Sequence, residues 1–132
     1  MSVTTPTGFR AAGVVAGIKS SGNKDVALVI NDGPLDVAAA VLTSNRVHAA
    51  PVAWSRQAIA DGRARAVVLN SGGANACTGA QGFADTHKTA EYVAEKLELS
   101  AQDVIVCSTG LIGVLLHMDK LLAGVDATVE GL

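Results

Sequence analysis

Thr109 and Gly110, within Cys107-Ser108-Thr109-Gly110-Leu111-Ile112-Gly113, offer the most direct chemistry in this chain. A threonine hydroxyl and the next backbone N–H, set at a strand end, aim two donors past the edge of a sheet. A tetrahedral oxyanion in acyl transfer needs such donors, and one is typically worth ~10²–10³ in rate. A plain turn, its Thr109 hydroxyl capping the following segment, explains the same residues and is the commoner use of Ser-Thr-Gly. The second stretch is longer: Asn70-Ser71-Gly72-Gly73-Ala74-Asn75-Ala76-Cys77-Thr78-Gly79. Its amides and hydroxyls, Asn75 and Thr78 foremost, would line an amino-acid pocket or cradle an anion, while its glycines permit close backbone approach. A loop that only buttresses the fold is the alternative. It is no P-loop, because no Gly-Lys-Ser or Gly-Lys-Thr occurs in it.

The remaining reactive side chains point less clearly to a site. Cys77 or Cys107 would serve as a nucleophile only beside a base or cation that lowers its pKa. His87 falls mid-helix and His117 just before a helix, so small core-filling cysteines are the simpler reading. Two cysteines are too few for a disulfide scaffold and are expected to be reduced, in a cytoplasmic protein. The three histidines lack ligand spacing, so no metal site is expected. A triad of Ser71, Asp85 and His87 has no support, since Asp85 and His87 fall on different sides of one helix. Glu91, Glu95, Lys96 and Glu98 read as a solvated face, and Asp119 suits the start of a helix.

The elements that must position these residues follow from periodicity. Short apolar runs at 66–69 and 104–108 read as buried strands, each ending in one of the glycine-rich loops. Residues 11–18 read as extended, and 26–30 as a β-branched strand closed by the turn signal Asn31-Asp32-Gly33-Pro34. Residues 38–43 then read as a second strand, giving an early hairpin. A short strand is expected at 51–54, followed by Ser55 as a helix cap, a helix over 56–60 and Gly62 as its stop. Phe83, His87, Ala90, Val93, Ala94 and Leu97 have helical spacing over 83–97. Met118, Leu121, Leu122, Val125, Val129 and Leu132 form one face of a last helix, with Gly131 placed as its C-cap. That helix runs into Leu132 as though the sequence continues. The sum is one α/β (α+β) domain over 1–132, with strands in the core covered by helices.

With 132 residues the chain can bury a real core. A net charge of −2, four aromatics and no basic run longer than two residues argue against nucleic-acid binding. Met1-Ser2-Val3-Thr4-Thr5-Pro6 lacks the features of a secretory signal, and no apolar stretch approaches the ~20 residues a membrane span needs.

Taken in order, five segments resemble ornithine acetyltransferase, the bifunctional glutamate N-acetyltransferase of arginine biosynthesis. They are Gly8-Phe9-Arg10-Ala11-Ala12-Gly13, Gly17-Ile18-Lys19, residues 70–79, residues 107–113 and Met118-Asp119-Lys120-Leu121-Leu122. The resemblance runs over essentially the whole chain. It implies a layered α/β sandwich and a self-processing N-terminal-nucleophile enzyme. Such a precursor cuts itself before a threonine into α and β chains that stay together as an α2β2 heterotetramer. The new threonine takes the acetyl group of N-acetylornithine, with its own α-amino group as base, and glutamate receives it. Some members also accept acetyl-CoA as a substrate, and no cofactor is implied. The family's oxyanion hole, a Thr-Gly pair, maps onto Thr109 and Gly110.

The family's lysine-glycine motif, its Ala-Thr-Met-Leu processing site and the β chain have no counterpart here. Thr128 stands in the last helix without processing context. The chain therefore resembles the N-terminal part of an α chain and is expected to be inactive alone. Val114-Leu115-Leu116-His117 also replaces a stretch that is usually more polar and proline-containing. Two rival readings are a non-catalytic scaffold or amino-acid-binding fragment, and a related self-processing aminopeptidase in which water accepts the acyl group.

Overall fold

Val26, Leu28 and Ile30 alternate with less buried residues, the period of a strand with one face in a core. The computed structural model describes residues 2–132 and builds a four-stranded sheet around this segment. In chain order the elements are β1 (Phe9–Val14), β2 (Val26–Asn31), α1 (Ala50–Ala58), β3 (Ala66–Gly73), α2 (Gly79–Leu97), β4 (Val104–Leu111) and α3 (Met118–Glu130). The sheet order is β1-β2-β3-β4; the first two pairings are antiparallel and β3-β4 is parallel. A parallel pair needs a long crossover, and α2 supplies it.

Register sets the two faces. Leu28 pairs with Val68 and Val68 with Val106, and all three side chains are buried with Trp54, Val93 and Val125 in the core. The opposite parity, Ala27, Val67, Leu69, Ile105 and Cys107, is half-buried or exposed. This open sheet face borders the site described below.

The structure moves several expected elements. Residues 38–43 form no strand: both edges of β2 are taken by β1 and β3, and Val41 is fully exposed with nothing to pack against. The early hairpin is instead β1-β2, with Ala11 opposite Val29. Residues 51–54 are helical, not extended, because Pro51 sits in the first turn of α1, where its fixed φ favours a helix. Ser55 is accordingly buried in mid-helix and caps nothing. Gly62, at φ 75°, does end the short 3-10 turn Ile59–Asp61 that follows. α2 begins at Gly79, four residues before the apolar spacing. It buries Asp85, Thr86 and Thr89 beside Ala90 and Val93, while Phe83 and His87 are exposed. Short polar residues take the inner face here because their hydroxyls bond to helix carbonyls: Thr89 Oγ1 donates to the Asp85 oxygen at 2.7 Å.

The outer edge of β4 is closed by side chains. Trp54 Nε1 donates to the Val104 carbonyl at 3.0 Å. Ser55 Oγ donates to the Val106 carbonyl at 2.9 Å and accepts from the Val106 N–H at 3.1 Å. Two residues of α1 thus satisfy backbone groups that a free strand edge would leave unpaired.

Candidate functional site

Both glycine-rich segments begin inside strands rather than after them, since β3 runs to Gly73 and β4 to Leu111. Parallel pairing carries them side by side: Ser71 opposes Thr109, and Gly72 opposes Gly110, with a register shift at Gly73. Beyond the strands the Ala74 N–H donates to the Leu111 carbonyl, and the Gly113 N–H to the Ala76 carbonyl, both at 2.8 Å. The two glycine-rich stretches are thereby joined.

Thr109 is exposed on the open sheet face and lines a cavity of about 350 Å³ with Ser71, Cys107, Leu69 and Lys24. Gly110 has φ 131°, a conformation that side chains rarely adopt. A Cβ there would lie 2.6 Å from the Gly72 carbonyl carbon and 2.7 Å from the Gly73 nitrogen. Only glycine lets the two backbones approach this closely. Behind them Ser108 Oγ donates to Asn70 Oδ1 at 2.5 Å, and Asn70 Nδ2 donates to the Gly73 carbonyl at 3.1 Å. These bonds tie the end of β4 to the turn that leaves β3.

Asn75 and Thr78 lie differently. Asn75 is fully buried, and its Nδ2 donates to the Gly82 carbonyl at 2.8 Å and to Thr86 Oγ1 at 2.9 Å. Its Oδ1 accepts from Thr78 Oγ1 at 2.7 Å, and its backbone carbonyl accepts from the Ala50 N–H at 3.0 Å. The Asn75 side chain, braced by Thr78, is committed to pinning the loop onto α2 while its backbone carbonyl holds α1, and Asn75 tolerates the φ of 49° found there.

The cysteines are not core fillers: Cys77 and Cys107 are both free and exposed. Partial desolvation of its thiol against the sheet face still pushes the Cys107 pKa up, away from nucleophile activation. Asp85 accepts from Gln81 and His87 stacks 4.8 Å from Trp54, so neither joins Ser71. Glu91, Glu95, Lys96 and Glu98 are all exposed, as a solvated face requires, and Lys96 also pairs with Asp126 at 2.7 Å, the carboxylate to which Tyr92 donates. Among the described residues no group of three potential metal ligands occurs, and no helix is long and apolar enough to cross a membrane.

Sequence reading missed Asp25. It is 3 % exposed, and its carboxylate accepts backbone N–H bonds from Ala16 at 2.6 Å, Ile18 at 2.7 Å and Lys19 at 2.9 Å. Burial alone would raise its pKa, but the bonds from Lys19, Ala16 and Ile18, with the Lys19 charge, outweigh that and hold it below the ordinary carboxylate range. The only sequence signal was a carboxylate between a glycine-bearing turn and a β-branched strand.

Together these features define an α/β domain that presents a hydroxyl beside a tightly folded glycine backbone, at one corner of an open sheet face. The ArgJ family's sequence profile matches residues 10–132, and the chain belongs to that family. It is 70 % identical over 129 residues to the arginine biosynthesis bifunctional protein ArgJ of Thermobifida fusca, covering 98 % of this chain and 34 % of that protein. The Streptomyces avermitilis protein of the same name is 65 % identical over 132 residues, covering 100 % of this chain and 34 % of its own length. The chain thus spans about a third of these curated relatives. Among solved structures, ornithine acetyltransferase complexed with ornithine from Mycobacterium tuberculosis superposes with a TM-score of 0.95 at 63 % identity, covering 97 % of this chain and 69 % of that one. The arginine biosynthesis bifunctional protein from Bacillus halodurans gives 0.91 at 39 % identity, covering 99 % and 71 %.

Proposed function

We propose that this segment supplies the oxyanion hole of an acetyltransferase that moves an acetyl group from N-acetylornithine to glutamate. The observation that carries the reading is Thr109 at the rim of the cavity, followed by a glycine locked against the backbone of β3. Attack of a nucleophile on the acetyl carbonyl places a negative charge on its oxygen. The Thr109 hydroxyl and the Gly110 N–H are the donors for that charge, fixed in advance and therefore spared reorganisation during the step.

The nucleophile, the N-terminal threonine of a β chain, lies in the remaining two-thirds of the protein. Its Oγ forms a bond to the acetyl carbon as the amide C–N bond breaks, and ornithine leaves with the transferred proton. The amine of glutamate then attacks the acetyl ester and frees the threonine. An oxyanion hole without that nucleophile does no chemistry, so the segment acts with the β chain, in an α2β2 assembly, and not alone. The open sheet face beside Thr109 is where the rest of the protein completes the site. Acetyl-CoA is an alternative acetyl donor, no cofactor is required, and the free cysteines fit a cytoplasmic setting.

The test uses full-length enzyme carrying this segment and N-acetylornithine labelled in its acetyl group. Label recovered on glutamate supports transfer, whereas label released as free acetate identifies the hydrolase of the same fold class instead.

A further inference from the structure

The geometry points to Asp25 as a positioning residue for the Thr109–Gly110 pair, acting through the turn at residues 16–19; the inference rests on the oxyanion reading above. Asp25 stands just before β2, and its carbonyl accepts the Ser71 N–H at 2.8 Å, so its backbone holds β3 one residue before Gly72. Its carboxylate gathers the three N–H groups of Ala16, Ile18 and Lys19 and so fixes that turn. Lys120 Nζ secures the same turn by donating to the Gly17 carbonyl at 3.0 Å.

The turn in turn presses on Gly72. A Cβ at Gly72 would meet Ile18 Cγ2 at 2.7 Å and Lys19 Cγ at 3.2 Å. On another side Gly72 meets Gly110, whose own Cβ position lies 2.6 Å from the Gly72 carbonyl carbon. The contacts therefore run from Asp25 through the 16–19 turn to Gly72 and on to Gly110, and neither glycine has room for a methyl group. Loss of the carboxylate frees the turn, relaxes Gly72 and Gly110 and lets the adjoining Thr109 hydroxyl drift from the developing charge. Asp25 itself performs no proton transfer in this account.

The experiment is a double-mutant cycle in full-length, processed enzyme, with Asp25→Asn and Thr109→Ala as the single variants. Asp25→Asn is expected to lower kcat about 10- to 100-fold, the cost of a misplacement near 1 Å, with KM changed less than about twofold. Combined with Thr109→Ala it should add little, because a donor pair already broken gains nothing from alignment. A purely structural role predicts multiplied losses. Multiplied losses, or a wild-type kcat for Asp25→Asn with Thr109→Ala slow, overturn this inference alone. Wild-type activity for Thr109→Ala removes the oxyanion reading and this inference with it. Should Asp25→Asn yield no processed enzyme, Lys120→Met loosens the same turn from an exposed position. A loss of a few-fold in kcat that disappears on the Thr109→Ala background supports the inference, and an unchanged kcat or multiplied losses overturn it.

Discussion

Ser55→Ala removes one oxygen and leaves two buried backbone groups without partners. Val106 is 5 % exposed and sits on the outer edge of β4, where among the described residues no strand follows. Its N–H and carbonyl both depend on Ser55 Oγ, at 3.1 and 2.9 Å. An unsatisfied buried donor or acceptor costs about 1–3 kcal/mol, and the two groups share a single hydroxyl, so a loss of about 2–4 kcal/mol is expected. With an m-value of about 2 kcal/mol/M for urea, the midpoint should fall by about 1–2 M with m unchanged. Trp54, the chain's one tryptophan, is 8 % exposed and held by a bond to Val104, so its fluorescence follows this edge directly. A midpoint shift below about 0.3 M would show that water replaces Ser55 freely, and would refute the view that α1 seals the sheet edge.

Two further predictions follow from the same geometry. Gly110→Ala puts a methyl group against the Gly72 and Gly73 backbone at a φ of 131°, so strain and overpacking together should cost about 2–5 kcal/mol, read from thermal unfolding. The folded-state pKa of Asp25 lies below its unfolded value, so its contribution is present above the unfolded pKa of about 3.9 and is lost as pH falls through the lower folded value. Melting curves from neutral to strongly acidic pH should therefore show wild type and Asp25→Asn well separated at neutral pH and converging in acid; a constant gap would contradict this.

How much was legible depended on what each residue's role required of its neighbours in sequence. The strand cores at 66–69 and 104–108 declared themselves by short apolar runs, whereas Gly72 and Gly110, read as openings for a substrate, lie inside the strands and let the two backbones meet. The segment 38–43 is also a short apolar run, but the β2 edge it would have paired with is taken by β1 on one side and β3 on the other, which is invisible locally. Pro51 reads as a strand or as a first helical turn until its surroundings are known. Asn75 looked like a ligand-binding amide because burial cannot be read from a loop rich in glycine and alanine; tertiary contacts with Gly82 and Thr86 decide its role. Asp25 and Ser55 stayed hidden for the same reason, since each acts on backbone groups brought near only by folding.

The central claim is that Thr109 acts on the charge of the transition state, and the measurement closest to it is the acetyl-transfer kcat of Thr109→Ala in full-length, processed enzyme. Loss of one oxyanion donor should lower kcat by about 10²–10³-fold while KM for N-acetylornithine changes little. A kcat within about threefold of wild type, with processing intact, would contradict the account and return Thr109 to an ordinary residue at the end of a strand.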